Sequence, residues 1–130
     1  MKKPKILLID DESVIREELE IYLRRKGYDV VTGVNGLDGF YLFQSDSPDL
    51  VLTDYRMPKM NGIAALQKMK AANPDVPVIM LSGQADMKVC VQALNDDAYE
   101  FIEKPVDLKK LLGVIQRALD GKPAWWNVEN

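Results

Sequence analysis

Short apolar segments alternate with longer amphipathic segments along most of the chain. The short segments have the length of β-strands and lie at residues 5–9, 28–33, 50–53, 76–81 and 99–102. Parallel strands that are covered on both faces are continuous apolar runs rather than alternating patterns. Each short segment is therefore predicted to be a buried strand of a parallel sheet.

The amphipathic segments predict five helices, one after each strand. The first covers residues 12–26, places Ile15, Leu19, Tyr22 and Leu23 on one face and ends at Gly27. The last is the most regular, and Asp107 is expected to cap its N-terminus. Apolar residues at helical spacing mark the others: Leu37, Phe40 and Tyr41 in the second; Ile63, Leu66 and Met69 in the third; Met87, Cys90, Val91 and Leu94 in the fourth.

Five successive strand–helix units indicate an α/β fold of the (βα)5 type. Connections between parallel strands are right-handed, and helices on both faces bury the sheet. Five units are too few for an eight-stranded barrel, so a doubly wound five-stranded parallel sheet is predicted. This pattern fills residues 1–120, and we expect residues 121–130 to be a tail or the start of a linker to an output domain beyond it.

The composition narrows the class of protein further. Hydrophobic residues make up 47% and charged residues 28%, which is usual for a folded domain. Cys90 is the single cysteine, which fits a reducing compartment, and no apolar run approaches the roughly 20 residues of a membrane span. The net charge is −3, and no block of Lys and Arg suggests a nucleic-acid interface. We expect a cytoplasmic domain that binds neither membrane nor nucleic acid directly.

Polar residues follow four of the five predicted strands. Carboxyl ends of parallel strands meet at one edge of the sheet, where α/β proteins bind their ligands. Three carboxylates, a hydroxyl and an ammonium group are therefore predicted to converge there: Asp10, Asp11, Asp54, Ser82 and Lys104.

Unpaired carboxylates in one crevice repel each other by roughly 1–4 kcal/mol per pair. A divalent cation removes this repulsion, and oxygen ligands without histidine favour Mg2+ or Mn2+ over zinc. On spacing alone, Asp10 and Asp11 are also compatible with solvated caps of the first helix. Asp54 is too far from them in the chain for a local turn role.

The same residues suit phosphoryl transfer. An aspartate can act as the nucleophile and form an acyl phosphate, while a metal ion and a lysine neutralise charge on the phosphoryl oxygens. Ser82 and the backbone N–H of Gly83 are candidate donors to those oxygens.

Four segments at the strand ends together resemble the receiver domain of two-component response regulators: ILLIDDE, LVLTD followed by YRMPKMNG, VIMLSG and AYEFIEKP. The resemblance spans about residues 4–120. It implies the flavodoxin-like strand order 2-1-3-4-5. It also implies that Asp54 accepts a phosphoryl group from a histidine kinase or a histidine phosphotransfer protein, since the chain itself has no histidine.

The resemblance also assigns roles around Asp54. Asp11 is similar to the direct Mg2+ ligand, Asp10 to an acid that assists through water, and the backbone carbonyl of Arg56 to a further ligand. These three residues and Asp54 form the implied metal site.

The remaining roles concern the phosphoryl group and the response to it. Lys104 resembles the lysine that pairs with the phosphoryl group, and the peptide bond from Lys104 to Pro105 is expected to be cis. Ser82 resembles the switch hydroxyl, and Phe101 the aromatic residue whose rotamer follows it. The fourth helix, fifth strand and fifth helix are the implied homodimer surface.

Two residues depart from the family's pattern. Asp97 stands where glycine is common, at a left-handed turn that aspartate tolerates better than most residues. Phe101 lacks the hydroxyl of the commoner tyrosine, so a resting position that is already buried and static is an alternative to a moving ring.

The residues fit three other functions less well. A flavodoxin-like cofactor binder would hold a phosphate after the first strand, where Asp10, Asp11 and Glu12 repel it. Phosphatases with an aspartate nucleophile need Asp-x-Asp, which the order Asp54, Tyr55, Arg56 does not supply. A docking module that is never phosphorylated is expected to lack one of the acids or the lysine.

Overall fold

Five parallel strands form one sheet in the order β2-β1-β3-β4-β5, as the resemblance implied. The computed structural model describes residues 2–86, 88, 91 and 97–126. The strands are β1 (Lys5–Ile9), β2 (Asp29–Gly33), β3 (Leu50–Asp54), β4 (Val78–Ser82) and β5 (Glu100–Glu103). Every residue of β3 and β4 is buried, because helices cover both faces of these central strands.

Four described helices pack on the sheet: α1 (Ser13–Arg25), α2 (Gly36–Asp46), α3 (Gly62–Ala72) and α4 (Leu108–Leu119). The side chain of Asp107 accepts a hydrogen bond from the N–H of Lys110 and caps α4, as predicted. Most of the residues that predict a helix before β5, namely Met87, Cys90 and Leu94, lie outside the described residues. Val91 is described, and its side chain is exposed. Among the described helices, none has the length and apolar character required to span a membrane.

The core has two layers, one on each face of the sheet. Side chains of α1 and α4 bury one face, and side chains of α2 and α3 bury the other. Successive residues of β1 alternate between the layers, with Ile6 and Leu8 in the first and Leu7 and Ile9 in the second. This is the predicted doubly wound arrangement.

Residues 121–126 fold back next to the start of β5. The hydroxyl of Tyr99 donates a hydrogen bond of 2.7 Å to the carbonyl oxygen of Lys122. The ammonium group of Lys122 lies 4.7 Å from the ring centre of Trp126. This segment lies at the opposite end of the strands from the predicted site.

Candidate functional site

The parallel sheet brings together the polar residues that follow the strands. Thr53 of β3 lies beside Ile9 of β1, so Asp10 and Asp54 emerge at the same edge. Ser82 ends β4, and Lys104 follows β5 directly. Asp10, Asp54 and Ser82 are all buried although they are polar. Such burial requires partners in the protein or in a ligand.

Lys104 contacts three carboxylates at this edge. Its ammonium nitrogen lies 3.1 Å from Oδ2 of Asp54, 3.4 Å from Oε1 of Glu12 and 3.5 Å from Oδ2 of Asp10. The lysine side chain is itself only 17% exposed. Electrostatic attraction in this partly buried position is stronger than in bulk water.

The carboxylates also meet the geometric requirement for a cation. One oxygen each of Asp10, Glu12 and Asp54 lies within 4.8 Å of the other two. Asp10 Oδ1 accepts a hydrogen bond from the N–H of Glu12. Asp10 Oδ2 is buried and has no hydrogen bond, although Lys104 lies 3.5 Å away. A free, buried carboxylate oxygen in an all-oxygen cluster fits Mg2+.

The carboxylate cluster contains Glu12 and not Asp11, which the family resemblance implied as the direct Mg2+ ligand. The sequence assigns no role to Glu12, whose carboxylate lies close to those of Asp10 and Asp54. The side chain of Asp11 is exposed, and it lines a cleft of about 490 Å3 together with Asp54, Arg56 and Lys104. Asp11 therefore faces the same space from the solvent side.

Burial dominates the charge states of the site. It raises the pKa of Asp54 to about 6, against the attraction of Lys104. It also raises the pKa of Asp10, against the hydrogen bond from Glu12. Burial acts to lower the pKa of Lys104, but the charges of Asp54 and Asp10 outweigh it and raise that pKa. At neutral pH a charged ammonium group thus faces a mostly ionised Asp54.

Ser82 and Gly83 lie where β4 ends. The hydroxyl oxygen of Ser82 is buried and has no hydrogen-bond partner. Gly83 lines the cleft beside Asp54. Their roles toward a phosphoryl group remain predictions from the sequence.

Phe101 lies on β5 beside Met80 of β4 and is half-buried. It packs against the layer of the core that α2 and α3 cover. Its ring is therefore neither fully buried nor free in solvent, which leaves a further inward movement open to it.

Two backbone features agree with the expectations from the sequence. The peptide bond between Lys104 and Pro105 is cis. Asp97 has a φ of +72°, in the left-handed region.

One contact across the cleft has no counterpart in the sequence predictions. Arg56, in the loop after β3, donates two hydrogen bonds to Asp86, in the 3-10 turn after β4. This pairing lowers the pKa of Asp86 below its usual range. Arg56 and Asp86 are not part of an apolar pattern, and the family resemblance assigns no partner to either side chain. The pair is therefore visible only in the folded structure.

Comparison with known proteins agrees with this geometry. The family model of the response regulator receiver domain matches residues 6–116. The regulatory protein AtoC of Escherichia coli (strain K12) is 37% identical over 115 residues, which are 88% of this chain and 25% of AtoC. The DNA-binding transcriptional regulator NtrC of Rhizobium meliloti (strain 1021) is 39% identical over 114 residues, 88% of this chain and 24% of NtrC. The chain thus spans about a quarter of the length of these relatives.

A solved structure gives the same result for the fold. The crystal structure of a response regulator receiver domain protein from Clostridium thermocellum superimposes with a TM-score of 0.88 at 34% identity, covering 91% of this chain and 95% of that one. With the family model matching most of the chain and the strand order and carboxylate edge in agreement, the chain belongs to the response regulator receiver domain family.

Proposed function

We propose that this domain accepts a phosphoryl group on Asp54 in a Mg2+-dependent reaction. One observation carries the proposal: the buried carboxylate of Asp54 lies 3.1 Å from the ammonium group of Lys104 and within 4.8 Å of the carboxylate oxygens of Asp10 and Glu12. A nucleophile, a cation and further acidic oxygens therefore share one cleft.

The proposed metal site uses the residues that the family resemblance assigned. Asp11, Asp54 and the backbone carbonyl of Arg56 would hold Mg2+, and Asp10 would assist through water. Bound Mg2+ supplies positive charge that neutralises the oxygens of the transferred group. Glu12 would add a carboxylate to the same space.

The transfer exchanges one bond to phosphorus for another. A carboxylate oxygen of Asp54 forms a bond to phosphorus while the bond from phosphorus to the imidazole nitrogen of a phosphohistidine breaks. The imidazole, which carries a proton on its other ring nitrogen, leaves with the electron pair of the broken bond as a neutral ring. Lys104 holds a positive charge beside the phosphoryl oxygens, and the Ser82 hydroxyl and Gly83 N–H donate hydrogen bonds to them.

The phosphohistidine would come from outside this domain, because residues 1–130 contain no histidine. The partner would be a cytoplasmic histidine kinase or a histidine phosphotransfer protein. The domain is then not an enzyme for external substrates; it catalyses only its own phosphorylation and dephosphorylation. Phosphorylation would switch a surface that includes β5 and α4, through which the domain binds a second copy or another partner.

Acetyl phosphate labelling tests the proposal. With Mg2+ and radiolabelled acetyl phosphate, the wild-type protein should gain one phosphoryl group that hydroxylamine removes, and Asp54→Asn should gain none. Asp29→Asn, at an exposed position at the start of β2, is the matched control and should label normally. Labelling of Asp54→Asn at the wild-type level would refute the assignment.

Metal binding is tested separately. Asp11→Ala should abolish Mg2+ binding at the site in a calorimetric titration, and wild-type affinity in this variant would refute the ligand role. A wild-type protein that binds Mg2+ but is never labelled would instead match a docking module that is not phosphorylated.

A further inference from the structure

Arg56 and Asp86 form a two-bond ion pair between the loops that flank the cleft. The Nε atom of Arg56 lies 2.7 Å from Oδ2 of Asp86, and its Nη2 atom lies 2.8 Å from Oδ1. Two parallel N–H···O bonds of this kind are the strongest pairing that arginine makes with a carboxylate. The pair therefore connects the segment after β3 to the segment after β4.

The two partners are anchored very differently. The side chain of Asp86 is 8% exposed, whereas that of Arg56 is 74% exposed. The N–H of Asp86 also donates to the carbonyl oxygen of Gly83, which fixes its turn. The carboxylate is thus the fixed partner, and the guanidinium group, which is mostly in solvent, is the one that can move.

The alternative partner for Arg56 lies in the same cleft. Arg56 and Asp86 line the cleft together with Asp54, Gly83 and Lys104. A phosphoryl group on Asp54 adds nearly two negative charges and three acceptor oxygens at a residue only two positions from Arg56. The planar guanidinium group matches a phosphoryl group as well as it matches a carboxylate, and the phosphoryl group carries more charge.

We propose that Arg56 is a phosphoryl-binding residue that leaves Asp86 for the phosphoryl group on Asp54. The exchange rests on the proposed function. It frees the carboxylate of Asp86 and removes the tie between the loop after β3 and the turn at Gln84–Asp86. The turn then receives the signal by a route that uses neither Ser82 nor Lys104.

The test is a double-mutant cycle on binding of beryllofluoride, a mimic of the phosphoryl group, in the presence of Mg2+. The proteins are wild type, Arg56→Ala, Asp86→Asn and the double variant. Arg24→Ala removes an exposed arginine that pairs with Glu20 on α1, and it is the matched control. All of these changes are at exposed positions or conserve shape, so folding should be retained.

The exchange predicts opposite effects of the two single changes. Asp86→Asn weakens the competing pair, so beryllofluoride should bind about three- to ten-fold more tightly. Arg56→Ala should bind it several-fold more weakly, and Asp86→Asn should have no further effect in that background. The Nε–H signal of Arg56 in NMR spectra should also shift on addition of beryllofluoride in the wild type.

Other results overturn the exchange. Wild-type affinity in Arg56→Ala would show that the guanidinium group does not contact the phosphoryl mimic. Weaker binding in Asp86→Asn, equal with and without Arg56, would show that Asp86 only supports its turn. Acetyl phosphate labelling in parallel separates the two proposals. If the wild type is labelled but all four proteins bind beryllofluoride equally well, only the proposed exchange of Arg56 is refuted. If the wild type is not labelled and does not bind beryllofluoride, both proposals are refuted.

Discussion

The ammonium group of Lys104 lies 3.1 Å from the carboxylate of Asp54, although one follows the last strand of the sheet and the other ends its central strand. The same nitrogen is within 3.5 Å of Asp10 and Glu12. Lys104 therefore offsets the repulsion between three carboxylates, which is also what a bound Mg2+ ion would do.

Replacing Lys104 should consequently strengthen metal binding while it weakens phosphorylation. A lysine and a divalent Mg2+ ion about 4 Å apart repel by about 2 kcal/mol even in bulk water, so Lys104→Met should bind Mg2+ about thirty-fold more tightly in calorimetry. Acetyl phosphate labelling should be slower because the phosphoryl oxygens lose a positive partner. Lys26→Met, at the far end of α1, should change neither. An unchanged or lower Mg2+ affinity in Lys104→Met would contradict this account.

The raised pKa of Asp54 predicts an unusual dependence of stability on pH. Its folded-state pKa of about 6 exceeds the unfolded value of 3.8, so the folded protein binds more protons between these values. Its contribution to the free energy of unfolding therefore falls as pH rises from about 4 to about 6. Without Mg2+, Asp54→Asn should be more stable than wild type at pH 8, by on the order of 1–3 kcal/mol.

Urea unfolding in the presence of a metal chelator tests the direction of this pH dependence. The advantage of Asp54→Asn should shrink at pH 4.5, where Asp54 in the wild type is mostly protonated. Saturating Mg2+ at pH 8 should raise the stability of the wild type more than that of Asp54→Asn, because the cation binds only the folded site. The same advantage at both pH values would exclude the ionisation of Asp54 as its cause.

Ser82→Ala should separate stability from ligand binding. The Ser82 hydroxyl is buried without a hydrogen-bond partner, so its removal should leave the free energy of unfolding unchanged or raise it by up to about 1 kcal/mol. Beryllofluoride should bind more weakly, because it loses a donor. A large loss of stability would instead place the hydroxyl in a hydrogen bond in the resting protein.

Gly62 packs against the backbone of Asp54, and Gly113 is a control glycine without such close contacts. A Cβ atom at Gly62 would lie 2.5 Å from the carbonyl oxygen of Asp54 and 2.9 Å from Cα of Tyr55. Gly62→Ala should therefore displace the phosphoacceptor, destabilise the protein by about 1–3 kcal/mol and slow labelling. At Gly113, in α4, the nearest atom is a flexible side-chain nitrogen 3.7 Å away. Gly113→Ala should stabilise the protein by about 0.5–1 kcal/mol, and a loss at both sites would point to a general effect of alanine.

Phe101 should move when the phosphoryl mimic binds. Ser82 turning toward the new oxygens leaves space, and burying more of a half-exposed ring releases free energy on the order of 1 kcal/mol. Chemical shifts of the Phe101 ring with and without beryllofluoride measure this movement. The ring of Phe43, which is already buried in the same layer, should not change. An identical inward rotamer of Phe101 in both states would exclude it as the moving part.

The sequence predicted the strands well because their apolar runs are set by burial. β1 matches its prediction, and the bounds of the other four differ by one or two residues, chiefly because polar residues such as Asp54, Ser82 and Glu103 still pair as the last residues of their strands. Hydrophobic periodicity identifies the apolar side chains of a strand, whereas the hydrogen-bonded pairing with the neighbouring strand extends one residue further.

The site was predictable only where a residue is fixed by its strand. Asp54 and Ser82 end strands, and Asp10 and Lys104 directly follow strands, so the sheet places all four at one edge. Glu12 and Asp86 lie in loops, and their contacts depend on how two distant loops approach each other. No local pattern encodes that distance, which is why the carboxylate of Glu12 in the cluster and the bond from Arg56 to Asp86 emerge only in three dimensions.

The position of β5 at the end of the strand order has a consequence for protein synthesis. β5 joins the sheet by pairing with β4, and Lys104 is held in place by that pairing through its N–H bond to the Ser82 carbonyl. A nascent chain that has left the ribosome only as far as β4 carries all the acids of the site without the lysine that balances them. Until β5 has been synthesised, the repulsion among these carboxylates is therefore not offset by Lys104.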